Sequence, residues 1–113
     1  MKVYKIAGRA DWDAALQAGA FEGAAIDLRD GYIHLSTAAQ ARDTARLHFA
    51  SQAGLVLLRI DAAALGAALR WEPSRGGDLF PHLYGSLACG LVEAVTEMPL
   101  DRSGIPQLGE LAP

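Results

Sequence analysis

The stretch D-G-Y-I-H-L-S-T, Asp30 to Thr37, carries a turn signal, a short strand and a helix cap in succession. Asp30-Gly31 favours a turn, and Tyr32 to Leu35 is apolar and β-forming enough for a short strand. Ser36 or Thr37 then offers a hydroxyl to the free amides of a helix over about Ala38 to Ala50. In that helix Ala41, Thr44, Ala45, His48 and Phe49 share one face, which predicts a packed His48 with one polar contact. Strand, cap and helix in this order make a junction that presents free amide groups to a ligand.

Working outward, Val3 to Ala7 reads as an opening strand, and Asp11 is placed to cap a helix through about Ala18, stopped by Gly19. Leu55 to Ile60, L-V-L-L-R-I, is the clearest buried strand in the chain. Asp61 is placed to cap a short helical turn through Leu65, halted at Gly66. Leu69 to Glu72 forms a strand ended by Pro73. The segment from Ser74 to Gly85 is rich in Gly and Pro and reads as a functional loop, with Pro81 confining any strand there to a sheet edge. Leu91 to Met98 alternates as a last strand with Glu93 and Glu97 on one side. Together these elements predict an α+β fold, a small split or curved, mainly antiparallel sheet with two to three flanking helices. Residues 1–100 form its single domain, and 101–113 a C-terminal extension without independent fold, extended or frayed.

Composition narrows the function classes. A chain of 113 residues with 51% hydrophobic and 20% charged residues suits one folded domain. A net charge of -3 gives no broad basic field for duplex nucleic acid. Arg70, Arg75 and the arginines of the second helix could still converge on a small anion. The single Cys89 has no disulfide or zinc partner and is expected as a buried, inert thiol. The N-terminus lacks a secretory core, and no apolar run approaches the ~20 residues of a membrane span, so a cytoplasmic location is expected.

The candidate chemistry centres on two phrases, I-H-L-S and P-H-L-Y. On a strand, residues two apart share a face, so His34 lies beside Ser36 and, if extended, His82 beside Tyr84. The plain alternatives are a satisfied strand histidine, helix capping by Ser36 or Thr37, and a buried tyrosine with a bonded tip. R-W-E-P-S-R-G-G-D adds Trp71, Glu72, Arg75 and Gly77. There the glycines would let backbone amides approach a phosphate and the arginine would grip it, against a tight turn with solvated charges. The three histidines show no metal-binding spacing, so no metal is expected; one would need assembly of His34, His82 and Glu72.

D-G-Y-I-H-L-S-T, R-W-E-P, G-G-D-L-F-P-H-L-Y-G and the opening V-Y-K-I together resemble the bacterial domain-of-unknown-function family 952 over about residues 2 to 100. I-H-L-S-T is also distantly similar to the first-strand histidine signature of the ADP-ribosyltransferase superfamily. That likeness implies a related fold and NAD as substrate. It implies that His34 and Ser36 face the ribose, that Tyr84 stacks on nicotinamide, and that Glu93 or Glu72 steadies the reacting ribose. His82 has no counterpart in that set. Three functions follow as expectations: a nucleotide-site enzyme of the ADP-ribosyl-transfer kind, a two-histidine phosphoesterase using His34 and His82, or a small-ligand binding module without turnover.

Overall fold

Leu55, Val56, Leu57, Leu58 and Ile60 are all buried, because their strand is covered on both faces. In the computed structural model, which describes residues 1–113, the elements run in the following order. They are β1 (Lys2–Gly8), α1 (Arg9–Ala18), β2 (Ala20–Phe21), α2 (Ala25–Asp30), β3 (Ile33–His34), β4 (Ser36–Thr37) and α3 (Ala38–His48). They continue with β5 (Leu55–Asp61), β6 (Leu69–Pro73), β7 (Leu79–Leu83), β8 (Leu87–Ala88) and β9 (Val92–Glu97). Short 3-10 turns occupy Ala62–Ala68, Arg75–Gly77 and Cys89–Leu91. The fold is α+β, with small antiparallel sheets and three helices. No helix is long and apolar enough to cross a membrane.

The main sheet has the order β4-β1-β5-β9, a second pairs β2 with β8, and a third runs β3-β7-β6; every pairing is antiparallel. Side chains alternate across β1 and β5 with period two and so feed two cores. Val3, Ala7, Val56, Leu58 and Ile60 pack on Trp12 and Ala15 of α1 and on Ile33, Leu35, Leu83 and Leu87. Tyr4, Ile6, Leu55 and Leu57 pack on Ala41 and Ala45 of α3, with Met98 and Leu108.

Several elements differ from the sequence-based expectation, each for a local reason. β1 runs to Gly8, and the Arg9 N–H bonds the Gly54 carbonyl at 2.7 Å, so α1 starts there. Asp11 is therefore in its first turn rather than at the cap, where its charge still complements the helix dipole. The segment up to Asp30 forms α2, which the sequence did not announce, and the turn expected at Asp30-Gly31 is its left-handed stop, with Gly31 at φ 88°. Thr37, not Ser36, caps α3: its hydroxyl accepts from the Gln40 N–H while the Gln40 side chain accepts from the Thr37 N–H. α3 ends at His48, and that residue is exposed over a cleft instead of packed on the sheet. The helical turn after Asp61 continues to Ala68 across a kink at Gly66.

Pro81 lies in β7, the central strand of its sheet, not in an edge strand or loop. The Pro81 carbonyl accepts from the Leu35 N–H at 3.0 Å. Its missing N–H faces that same side, so the Leu35–Pro81 pair at the end of β3 keeps one of the two ladder bonds. The C-terminal residues form no helix or long strand, yet they are pinned rather than frayed. Leu108 is buried, Tyr4 donates its hydroxyl to the Ala112 carbonyl at 2.6 Å, and Arg42 donates to the Gly109 carbonyl. Cys89 is half-buried, with its thiol directed to the Ala15 carbonyl.

Candidate functional site

Within the expected strand over Tyr32 to Leu35, Ile33–His34 is strand, and a second short strand, Ser36–Thr37, follows it in another sheet. His34 pairs with His82 on β7, whereas Ser36 pairs with Tyr4 on β1, so the chain passes from one sheet to the other at Leu35. The sheets diverge there, and a cleft opens.

Cross-strand register sets the two histidines opposite one another, with ring centroids 5.7 Å apart. Tyr32 lies against both, stacked on His82 at 4.1 Å and tilted to His34 at 4.7 Å. Each ring is held from behind by a carboxylate. His34 Nδ1 is 2.6 Å from Asp27 Oδ1, and His82 Nδ1 is 2.8 Å from Glu72 Oε1. An ionised carboxylate only accepts, so each Nδ1 carries the proton in these bonds. His34 Nε2 lies 3.0 Å from Asp30 Oδ2, giving this ring a carboxylate at either nitrogen. In His82, Nδ1 is taken by Glu72 and no buried side-chain nitrogen lacks a partner, so Nε2 is the atom open to the cleft.

Glu72 also accepts from the Tyr84 hydroxyl at 2.7 Å. The Tyr84 and His82 hydrogen bonds hold its carboxyl below the usual range, and the bond to Glu72 raises the Tyr84 phenol. The Arg70 guanidinium sits 4.6 Å above the Tyr84 ring. Burial, reinforced by the Asp30 and Glu72 charges, raises the Tyr32 phenol.

Beneath His34 is a buried ion pair. Lys5 Nζ is 2.8 Å and 3.1 Å from the two Asp27 oxygens, and the Asp27 side chain is wholly enclosed. Burial pushes the Asp27 carboxyl up, but hydrogen bonds from His34 and the Lys5 charge outweigh it and hold the group well below the carboxylate range. Burial lowers the Lys5 ammonium, and the Asp27 charge only partly restores it. Asp27 also accepts from the His34 and Ala24 backbone N–H groups, so it anchors both the start of α2 and β3.

The cleft, about 460 Å³, is lined by Lys5, His34, Ser36, His48, Arg75 and His82 among others, with Ile26, Leu35, Phe49 and Phe80 as its apolar wall. Every histidine of the chain lines it, together with one lysine and one arginine, and no carboxylate does. The volume falls in the range of small-molecule sites. Carboxylates stand behind the lining instead, Asp27 on Lys5 and His34 and Glu72 on His82, which leaves Arg75 as the lining cation without an ion-pair partner. No group of three or more histidine, cysteine or carboxylate side chains is arranged to hold a metal.

Of the residues expected at a site, His34, Ser36, Arg75 and His82 line the cleft, and Glu72 and Tyr84 stand directly behind His82. Thr37 has its hydroxyl in the α3 cap. Trp71 is exposed on β6, and Gly77 closes the Arg75–Gly77 turn through its N–H to the Ser74 carbonyl. Glu93 is elsewhere: it pairs with Lys2 at 2.7 Å and Arg59 at 3.1 Å, at a bulge between β5 and β9. Lys5, Asp27, Asp30 and Tyr32 were not singled out in the sequence. The available signal was a lysine within the apolar alternation of β1, which requires a buried counter-charge.

Fold and site define an α+β protein with a histidine-lined cleft at the divergence of two antiparallel sheets. The chain belongs to the family described as "Protein of unknown function (DUF952)", which matches residues 6–95. It is similar to protein CC0527 from Caulobacter crescentus. The crystal structure of that protein is 52% identical, with a TM-score of 0.94 and 96% of each chain covered. Its solution structure is 53% identical, with a TM-score of 0.86, covering 96% of this chain and 93% of that one. No curated protein matches the sequence.

Proposed function

We propose that the cleft is a nucleotide site, that it takes its ligand by phosphate, and that His34 and His82 act on the bound molecule, with NAD the first ligand to test. The observation that carries this reading is a lining of nitrogen donors, three histidines, Lys5 and Arg75, with no carboxylate among the lining residues. Phosphate oxygens accept from such donors, and a partly enclosed hollow strengthens each contact.

The resemblance of I-H-L-S-T to the ADP-ribosyltransferase superfamily gives the reaction. The nicotinamide–ribose bond breaks toward an oxocarbenium ion and its electron pair leaves with nicotinamide; water adds to the ribose carbon and gives up a proton, while His34 holds the ribose and a carboxylate offsets the developing positive charge. Glu72, tied to His82 and Tyr84, is the glutamate suited to this role; Glu93 is occupied by Lys2 and Arg59. Titration with NAD is expected to shift the resonances of His34 and His82, with nicotinamide released on incubation. Unmoved signals at millimolar NAD would sink the proposal. Binding without release, with affinity retained in Glu72→Gln, would reduce the protein to a binding module.

The direct pairing of His34 with His82 across β3 and β7 favours a second reading, phosphoester cleavage with one histidine as base and the other as acid. Here 2′,3′-cyclic nucleotides are the test substrates. Activity unchanged in His34→Ala or His82→Ala counts against it.

A further inference from the structure

Arg75 has no carboxylate partner, a condition it shares with Arg70, but Arg75 is the arginine that lines the cleft. Arg9, Arg29, Arg46 and Arg59 each pair with a carboxylate, whereas no carboxylate lies within ion-pair distance of Arg75. Its guanidinium rests 4.9 Å over the Phe80 ring and donates one long bond, 3.4 Å, to the Thr44 hydroxyl. Thr44 gives its own proton to the Gln40 carbonyl at 3.1 Å, so it receives from Arg75 and from Ser36, whose hydroxyl is 3.0 Å away. The guanidinium has five N–H donors, and Thr44 takes one. A half-buried arginine held in place by an aromatic face, with most donors unspent and directed to a cleft, is preorganised for an anion.

Position along β7 adds a distance. Phe80 and His82 are two residues apart on one strand, both buried and both lining the cleft, so they share a face about 7 Å apart. The aromatic ring that seats the guanidinium is thus one strand repeat away from His82, a spacing on the order of a sugar unit.

Resting on the nucleotide reading of the cleft, we infer that Arg75 is a phosphate anchor distinct from the reacting centre. It selects ligands whose phosphate is one sugar away from the group that His34 and His82 address. Ser36 and Thr44 position the guanidinium and leave the phosphate to it. Ligands lacking the remote phosphate should then bind weakly even if the reacting end is intact.

Two titrations separate this inference from the reading beneath it. In the wild type, pyrophosphate should shift the Arg75 Nε–H resonance. ADP-ribose should shift both it and the histidine rings, and adenosine should leave Arg75 unmoved. Arg75→Gln should weaken ADP-ribose by about tenfold or more, the effect of losing a charged hydrogen-bonding partner, with partial recovery in Arg75→Lys. Equal affinity of Arg75→Gln and wild type for ADP-ribose, with the histidines still responding, overturns the anchor and leaves the nucleotide site. An Arg75 resonance that responds to neither phosphate probe also overturns it. Response of Arg75 to both pyrophosphate and ADP-ribose, with the histidines silent even to ADP-ribose, supports the anchor and overturns the nucleotide reading.

Discussion

Asp27 joins the core to the cleft through five contacts: two to Lys5, one to the His34 ring, and one each to the backbone N–H groups of His34 and Ala24. Removing one partner of a buried ion pair leaves the other charged and desolvated, which costs about 3–5 kcal/mol. Asp27→Ala should lose stability on that scale in urea denaturation, and a loss below about 1 kcal/mol would contradict the role assigned to the pair. The pH dependence has a definite sign. The folded-state carboxyl is held below its ordinary value of 3.8, so below that value the unfolded chain binds more protons. The contribution of Asp27 is complete above about pH 5 and is lost as pH falls through 3.8 toward the depressed value. In Asp27→Asn this part of the acid slope should vanish; an unchanged slope between pH 5 and 2 would show that other carboxylates carry it. Sequence reading reached the histidines because strand alternation is local. It passed over Asp27 because a buried carboxylate is recognisable only by its partner, and Lys5 is 22 positions away.

At the level of elements, α3 depends on a reciprocal cap. Thr37→Ala removes the hydroxyl that receives the Gln40 N–H and should cost about 1 kcal/mol, read as a lowered thermal midpoint. Thr37→Ser should restore most of it, and no difference between Ala and Ser would mean the cap is not the cause. Gly23 constrains α2 more tightly. Its φ is 121°, and an added Cβ would lie 2.7 Å from the Asp27 Cβ. Gly23→Ala should therefore displace Asp27 and shift the His34 resonances as well as reduce stability. Undisturbed His34 signals would contradict that coupling. Periodicity made β1, α1 and α3 legible in the sequence, and a continuous apolar run made β5 so. α2 is too short at six residues for a helical stripe to register, and β7 was obscured by Pro81, whose missing donor costs one ladder bond at the end of β3. β4 lasts two residues and was read as cap alone; nothing within the stretch marks Leu35 as the place where partners change.

For the molecule as a whole, the main sheet is enclosed on one side by α1 with the smaller sheets and on the other by α3 with the C-terminal residues. Leu108 is the tail's buried contribution to the second layer. Leu108→Ala should cost about 2–5 kcal/mol in chemical denaturation while leaving the cleft, which that residue does not line, able to bind. Parallel loss of stability and of histidine shifts on ligand addition would show instead that the two layers are not separable. The double enclosure was foreshadowed by the unbroken apolar run in β5, since a strand with one wet face would alternate. The tail's role was not, because its anchoring depends on a tyrosine hydroxyl and an arginine far away in the chain.

The crossing at Leu35 has a consequence for fidelity of assembly. His34 has its partner in one sheet and Ser36 in another, so a slip of one position would mispair both sheets and move Ile33 and Leu35 out of the core together. A one-position slip therefore cannot keep the core sound while parting the two histidines. The packing of the residues on either side of His34 thus guards the cleft against that error.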